Sequence, residues 1–271
     1  MTIEVMDAAG RCVRLPRYPS RIVSLVPSIT EALYVLGLED RLIGVTRFCT
    51  EPADRVGGKA RVGGQKNPDL ERIRSLQPDL VVANIEENRR DDVEALEGMG
   101  VAVYTTYPRT VVQGIAMIRT LGQLTGTEDR ASAIAASVEA VYRESTEEVR
   151  GRKRLRVFCP IWRKPYMSIN HDTYIHDVLE TCGAINIFAD TPDRYPKISL
   201  AEVAQRDAEV ILLPDEPYAF DPRHLVDFEP FAGFIPALAT GRVHFLDGKV
   251  LSWYGPRIGD SLRTVRALLR S

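Results

Sequence analysis

Residues 128–150 contain no proline or glycine and are rich in alanine, glutamate and arginine. Within them Ile134, Val138, Val141 and Tyr142 recur at the helical period, giving one apolar stripe on a helix of about six turns. A helix of that length constrains what its flanks can be. Between two folded halves it makes a stiff connector, where two or three crossing strands would make a flexible hinge. Its alternative is a surface helix on one large sheet. The connector is favoured because both flanks hold a similar number of strand–helix units.

Short β-rich runs alternate with helical patterns on either side, the signature of βα units and parallel sheets. In the first half the strands are expected at residues 22–26, 42–45, 80–83 and 102–105, with helices near 29–36, 69–76, 91–99 and 111–124. In the second half strands are expected at 155–159, 210–213 and 243–246, with a short one at 184–187. Helices there are expected near 174–181, 200–206, 223–238 and 258–269. Ser28-Ile29-Thr30-Glu31 and Ser199-Leu200-Ala201-Glu202 both read as capping boxes, and Asn67-Pro68-Asp69 as a cap followed by proline at the first helical position. The fold expected is α/β: two lobes, each a mostly parallel sheet flanked by helices, joined by one long connecting helix. Residues 1–126 form the N-terminal lobe, 127–153 the connecting helix and 154–271 the C-terminal lobe.

A chain of 271 residues can bury two cores. Thirty-five basic against 37 acidic residues leave no electrostatic footprint for nucleic acid or an anionic membrane. No apolar run approaches the ~18 residues that span a bilayer. Glu4 and Asp7 interrupt the apolar residues at the N-terminus and no basic start precedes them, so this is not a signal peptide. The chain is expected to be cytoplasmic, or its leader to lie outside this sequence. Cys12, Cys49, Cys159 and Cys182 form no CxxC pair and read as buried thiols, although two bridges are arithmetically open.

In open α/β sheets ligands bind outside the carboxyl ends of the strands, so the residues that follow each strand are the candidates. In the first half these include Arg47 and Phe48, the loop from Asn84 to Asn88, and Tyr107-Pro108-Arg109. In the second they include Trp162 and Arg163, the Asp215–Tyr218 loop, and Trp253, Tyr254 and Arg257. Both tryptophans and several tyrosines thus fall in strand-end loops. Rings flanked by arginine suit a large, partly flat, partly charged ligand, though each ring could also plug the end of its own lobe.

Enzymatic patterns are absent: there is no GxSxG, HExxH, Walker loop or GxGxxG. Gly57-Gly58 and Gly63-Gly64 match no phosphate loop and read as surface turns. Glu86 and Glu87 read as solvated charges at a helix start, with a base or a ligand as the alternative. His171 and His176 lie about 140° apart around a helix, and His224 and His244 also fall in the second half, so no metal-binding set is expected. No catalytic residue and no built-in cofactor is assigned.

Four segments carry a family resemblance: Arg21-Ile-Val-Ser-Leu-Val-Pro-Ser-Ile-Thr-Glu31, Asn67-Pro-Asp-Leu-Glu-Arg-Ile73, Pro78-Asp-Leu-Val-Val82 and Val178-Leu-Glu-Thr-Cys-Gly-Ala-Ile-Asn-Ile-Phe188. In order and spacing they resemble the helical-backbone metal receptors, the ABC-transporter substrate-binding proteins for cobalamin, haem and ferric siderophores. The likeness runs from about Glu4 to Leu269 and is greatest to the cobalamin-binding members. It implies two α/β lobes bridged by one helix, a monomer, and an extracytoplasmic location. It implies docking on an ABC permease through Glu71 and Glu202, the latter also claimed by its capping box. It also implies that Phe48, Trp162, Tyr195 and Trp253 wall the ligand. Two further wall positions, tryptophan in the cobalamin-binding members, correspond to Gln65 or Lys66 and to Asn84, so the first-lobe wall is more polar here. The resemblance therefore admits cobalamin, another corrinoid, haem or a ferric siderophore. A cytoplasmic sensor or carrier on the same scaffold, and an enzyme using the cleft, are the alternatives.

Overall fold

The computed structural model describes residues 2–270. The chain divides into two compact units. One holds the residues up to Pro108, Gln113–Ser137 and Tyr254–Pro256; the other holds Arg109–Val112, Val138–Trp253 and the residues from Arg257 on.

In the first unit a hairpin of β1 (Ile3–Met6) and β2 (Cys12–Leu15) precedes a parallel sheet. The sheet strands are β3 (Ile22–Ser24), β4 (Leu42–Val45), β5 (Ala60–Arg61), β6 (Leu80–Asn84) and β7 (Val103–Thr106), in the spatial order β5-β4-β3-β6-β7. Helices α1 (Pro27–Val35), α2 (Leu70–Ser75), α3 (Arg90–Gly98) and α4 (Val111–Thr125) alternate with the strands. Every residue of β6 is buried, as a strand covered on both faces requires. Val23, Leu25, Val81 and Ala83 pack with Ile73 of α2 and Leu96 of α3 to form one core.

Helix α5 (Glu128–Val149) is one unbroken element, and the division between the units falls within it, after Ser137. Its buried stripe is Ala131, Ala135, Val138, Val141 and Ser145, while Ile134 and Tyr142 lie half-buried beside it. Small side chains let neighbouring backbone approach closely: a Cβ built on Gly122 of α4 would collide with the side chain of Ala131.

The second unit repeats the pattern with β8 (Leu155–Phe158), α6 (Tyr174–Thr181), β9 (Ala184–Asn186), α7 (Leu200–Gln205) and β10 (Val210–Pro214). After β10 come α8 (Pro236–Ala239), β11 (Val243–Leu246), α9 (Lys249–Ser252) and α10 (Ile258–Arg270). The sheet order is β11-β10-β8-β9, parallel throughout. Its core is aromatic, with Phe158 edge-on to Phe188 at 5.9 Å and tilted against Phe228 at 6.5 Å.

Three expectations need correction. The helix expected over 223–238 is a 3-10 segment, Pro222–Phe231, followed by α8, because Pro230 and Pro236 each withhold an amide donor from a continuous helix. Ser28 does not cap α1: the helix starts at Pro27, whose fixed φ suits the first turn, and Thr30 Oγ1 instead bonds Ser24 Oγ at 2.9 Å. Asn67 does not cap α2, since Asp69 accepts from the Arg72 amide at 2.9 Å in that role. The box of Ser199 and Glu202 is present with both of its bonds. The hairpin, β5 and α9 escaped the sequence reading.

Candidate functional site

Both sheets reverse their strand order beside their first parallel strand. In the first unit the chain builds outward from β3 through β4 to β5, then returns to β6 on the other side of β3. In the second it passes from β8 to β9, then to β10 on the other side. Loops leaving the carboxyl ends of strands at such a reversal diverge and leave a crevice, which is where open α/β sheets take ligands.

At the carboxyl edge of the first sheet, Thr46 to Cys49 form a tight turn after β4, closed by the Cys49 amide donating to Thr46 O at 3.2 Å. Arg61 clamps the turn by donating to the carbonyls of Thr46 and Cys49 at 3.0 and 2.9 Å. The Cys49 thiol is buried beneath it and accepts from Thr30 Oγ1 at 3.1 Å. This anchoring holds Phe48 outward, 47% exposed, with the Arg47 guanidinium 4.9 Å from its ring centroid. Gly64 lies underneath, where a Cβ would come within 3.4 Å of both Phe48 and Arg47.

The loop after β6 is organised by Asn84. This residue is 3% exposed, and its Oδ1 accepts from the amides of Glu86 and Glu87 at 2.8 and 3.2 Å. Its Nδ2 donates to Tyr254 Oη at 2.6 Å and to Thr106 Oγ1 at 3.3 Å. Tyr254, itself buried, donates to Glu87 Oε1 at 3.2 Å, and Gln65 Nε2 donates to the other Glu87 oxygen. Burial and the neighbouring Glu87 carboxylate push the Tyr254 phenol well above its ordinary pKa. Lys66 Nζ donates to the Glu86 carbonyl. The Glu86–Glu87 pair therefore does not open a helix, as the sequence reading has it. It precedes α3 in a turn, and Glu87 is half-buried and hydrogen-bonded. Ile85, 42% exposed, stands at the tip.

At the carboxyl edge of the second sheet, residues 161–167 fold back on themselves through Ile161 N to Met167 O at 2.8 Å and Met167 N to Trp162 O at 3.1 Å. Trp162 is 43% exposed and meets Tyr218, from the loop after β10, edge-on at 5.6 Å. Arg163 is committed internally: Nε and Nη2 donate to the two oxygens of Asp227 at 2.6 and 2.9 Å, and Tyr166 Oη adds a third bond to Asp227 at 2.8 Å. These bonds, led by the one from Arg163, hold the Asp227 carboxyl down at about 2. Tyr195 follows β9 and stands exposed, with the Arg194 guanidinium 5.6 Å from its ring centroid. Arg194 and Arg109 both donate to Asp172, at 2.9 and 2.6 Å.

Trp253 is buried, with Arg257 at 5.3 Å and Lys249 at 5.5 Å from its ring centroid. The structure thus places Phe48 and Arg47 together, and Asn84 with Tyr254, in the first unit. It places Trp162, Arg163, Tyr195, Trp253 and Arg257 in the second, with Trp253 buried and Arg163 paired.

Glu71 lies exposed in the first turn of α2, where Asp69 already supplies the cap. Glu202 Oε2 accepts from the Ser199 amide at 2.7 Å, which draws its carboxyl below the usual range. Among the described residues no group of three or more His, Cys, Asp and Glu side chains is placed to hold a metal ion, and no helix is long and apolar enough to cross a membrane.

A sequence model of the periplasmic binding protein family matches residues 22–250. The chain belongs to the periplasmic binding protein family. The vitamin B12-binding protein of Vibrio campbellii is 30% identical over 232 residues, covering 84% of this chain and 81% of the relative. Among solved structures, the chain is similar to the periplasmic vitamin B12 binding protein BtuF of Vibrio cholerae, with a TM-score of 0.82 and 23% identity over 93% of this chain and 97% of that one. It is also similar to the periplasmic haem-binding protein RhuT from Roseiflexus sp. RS-1, with a TM-score of 0.80 and 24% identity over 92% and 97%. At those identities the structural likeness bears on the fold.

Ile85 and Tyr218 fall in the strand-end loops that the sequence reading names without singling them out, whereas Asp172 and Asp227 lie outside every candidate segment. Ile85 and Tyr218 carried a usable signal, an apolar or aromatic residue directly after a strand. Asp172 and Asp227 carried none, because each pairs with an arginine far away in sequence.

Proposed function

We propose that this protein is the substrate-binding component of an ABC importer, that it works outside the cytoplasmic membrane, and that its cargo is a large metal chelate of the cobalamin or haem class. The observation that carries the reading is the exposure of Phe48, Trp162 and Tyr195 at the carboxyl ends of parallel strands, in a chain matched by the periplasmic binding protein family from 22 to 250. An exposed ring on a rigidly held turn loses little conformational entropy when it stacks on a flat ligand. The relative named for vitamin B12, 30% identical, supports a cargo of this class.

In this reading the ligand-facing groups of the first unit are Phe48 and Ile85, and those of the second are Trp162, Tyr195 and Tyr218. Arg47 and Arg194 lie over the rings of Phe48 and Tyr195. Asn84, Tyr254 and Trp253 are buried and act by positioning the loops around them. Glu71 and Glu202 dock a permease, and the protein acts as a monomer. Titration with cyanocobalamin, haem and a ferric siderophore, read by tryptophan emission and ligand absorbance, tests the reading. Saturable quenching by one of them at micromolar concentration is expected, and silence across the panel would remove the ligand class.

A further inference from the structure

We infer that the second unit carries an anion site of its own, built for a phosphate-type group, at the amino edge of its sheet. A cavity of about 160 Å³ opens there between the end of α5, the turn from α6 into β9 and the end of α10. Leu155, the first residue of β8, and Gly183, just before β9, both line it. It therefore lies at the opposite ends of the strands from Trp162 and Tyr195, which follow β8 and β9, so a ligand there is separate from the cargo.

Four cations line the cavity, Arg152, Lys153, Arg266 and Arg270, against one carboxylate, Glu148. Arg266 Nη1 donates to Glu148 at 2.6 Å and Arg152 Nη1 at 3.3 Å, and Arg270 makes a third contact with it. Three guanidinium groups thus share one carboxylate, which offsets their mutual repulsion only in part. Glu144 and Glu209, outside the lining, pair with Arg266 and Lys153, and counting both still leaves one positive charge over. The Arg266 side chain is 8% exposed, and its Nε–H is buried with no hydrogen-bond partner among the described residues. A buried charged donor without an acceptor is costly, and it marks a place for one. Helix carboxyl ends also draw cations, which is the competing use of these arginines. Here, however, the carbonyls of Val149 and Leu269 already take the Arg152 amide at 3.1 Å and Arg242 Nη2 at 2.7 Å. What remains is a guanidinium-rich pocket with apolar walls from Val149, Leu155 and Leu269. That arrangement holds a tetrahedral oxyanion through several charge-assisted bonds. A free phosphate and a phospholipid headgroup both supply the chemistry.

The test uses the full chain at pH 7. Thermal unfolding is compared in phosphate and in chloride at matched ionic strength, phosphorus NMR of inorganic phosphate reads binding directly, and sedimentation is measured with phosphatidylcholine vesicles with and without phosphatidylglycerol. A saturable rise in melting temperature with phosphate is expected, together with broadening of the phosphate resonance. Arg152→Gln alters a side chain that is 61% exposed, so it should keep the fold and weaken phosphate binding about five-fold. Glu148→Gln removes the competing carboxylate and should tighten binding by about the same factor. Phosphate binding without sedimentation identifies a free oxyanion as the ligand. Sedimentation that requires phosphatidylglycerol and is lost in Arg152→Gln identifies the headgroup. No response to phosphate beyond chloride with no sedimentation, unchanged binding in Arg152→Gln, or weaker binding in a folded Glu148→Gln protein would overturn the inference and leave the arginines as partners of helix ends alone.

Discussion

The side-chain amide of Asn84, at the end of β6, donates a 2.6 Å hydrogen bond to the phenol of Tyr254, far along the chain and in the same unit. Tyr254 passes the interaction on to Glu87, and Gln65 completes it from the other side. Four side chains from three separate stretches of sequence thereby fix the loop that presents Ile85. Removing one member strands buried polar groups, which costs more than the bond itself contributes. Tyr254→Phe is therefore expected to destabilise the protein by about 1–3 kcal/mol. Calorimetry should show a melting temperature several degrees lower, and an unchanged value would mean that the network carries no net stability.

The two tryptophans should report different things. Trp162 is exposed beside Tyr218, whereas Trp253 is buried beneath Lys249 and Arg257. In Trp162→Phe, most of the ligand-induced quenching should disappear while the fold persists. In Trp253→Ala the main effect should be a stability loss of about 3–5 kcal/mol, as for other buried aromatic truncations. Quenching that survives in Trp162→Phe but vanishes in Trp253→Phe would reverse this assignment.

Glu71 and Glu202 should separate by their effect on folding. Glu202 satisfies the Ser199 amide in a capping box, so Glu202→Ala is expected to cost about 1 kcal/mol, and Glu71→Ala close to nothing. If both residues dock a permease, both substitutions should lower transport in reconstituted vesicles by a comparable factor. Loss of transport in Glu202→Ala alone, tracking its lower melting temperature, would point to the cap.

The Arg163–Asp227 pair carries a pH signature. Its carboxyl titrates at about 2 in the folded protein, below its ordinary value near 4, so the folded state binds that proton more weakly than the unfolded state does. The stability it contributes is fully present above pH ~4 and is lost as the pH falls toward 2. Denaturant unfolding measured from pH 5 down to 2 should fall less steeply in Asp227→Asn than in the wild type.

Thiol chemistry gives a simple check of burial. Cys12 is exposed, against the expectation of four buried thiols, because it sits on the outward face of β2; Cys49, Cys159 and Cys182 are buried, and burial pushes the last two thiols up to about 12. Ellman's reagent should titrate one thiol in the native protein and the other three only on unfolding. Rapid reaction of more than one would contradict that packing.

Legibility in the sequence followed the range of the interactions. The parallel strands and most helices announced themselves through local periodicity and turn residues, so α6, α5 and β4 could be placed to within a residue or so. The segment 222–239 misled because its apolar spacing is helical while Pro230 and Pro236 interrupt its hydrogen bonding. Exposed rings after strands, such as Phe48 and Trp162, were legible because the rule that finds them is local. That Asn84 and Arg163 are spent on Tyr254 and Asp227 was not, because nothing in a single sequence marks which distant side chain closes a hydrogen bond.

The two sheets share one strand order, with β4-β3-β6-β7 matched by β9-β8-β10-β11. The correspondence reaches the side chains. Arg47-Phe48 after β4 and Arg194-Tyr195 after β9 are the same device, a guanidinium lying over an outward ring, placed on equivalent strands. A chain that states its design twice contains its own control. A substitution at Phe48 has its partner at Tyr195, and the difference between the two measures how far the copies have specialised.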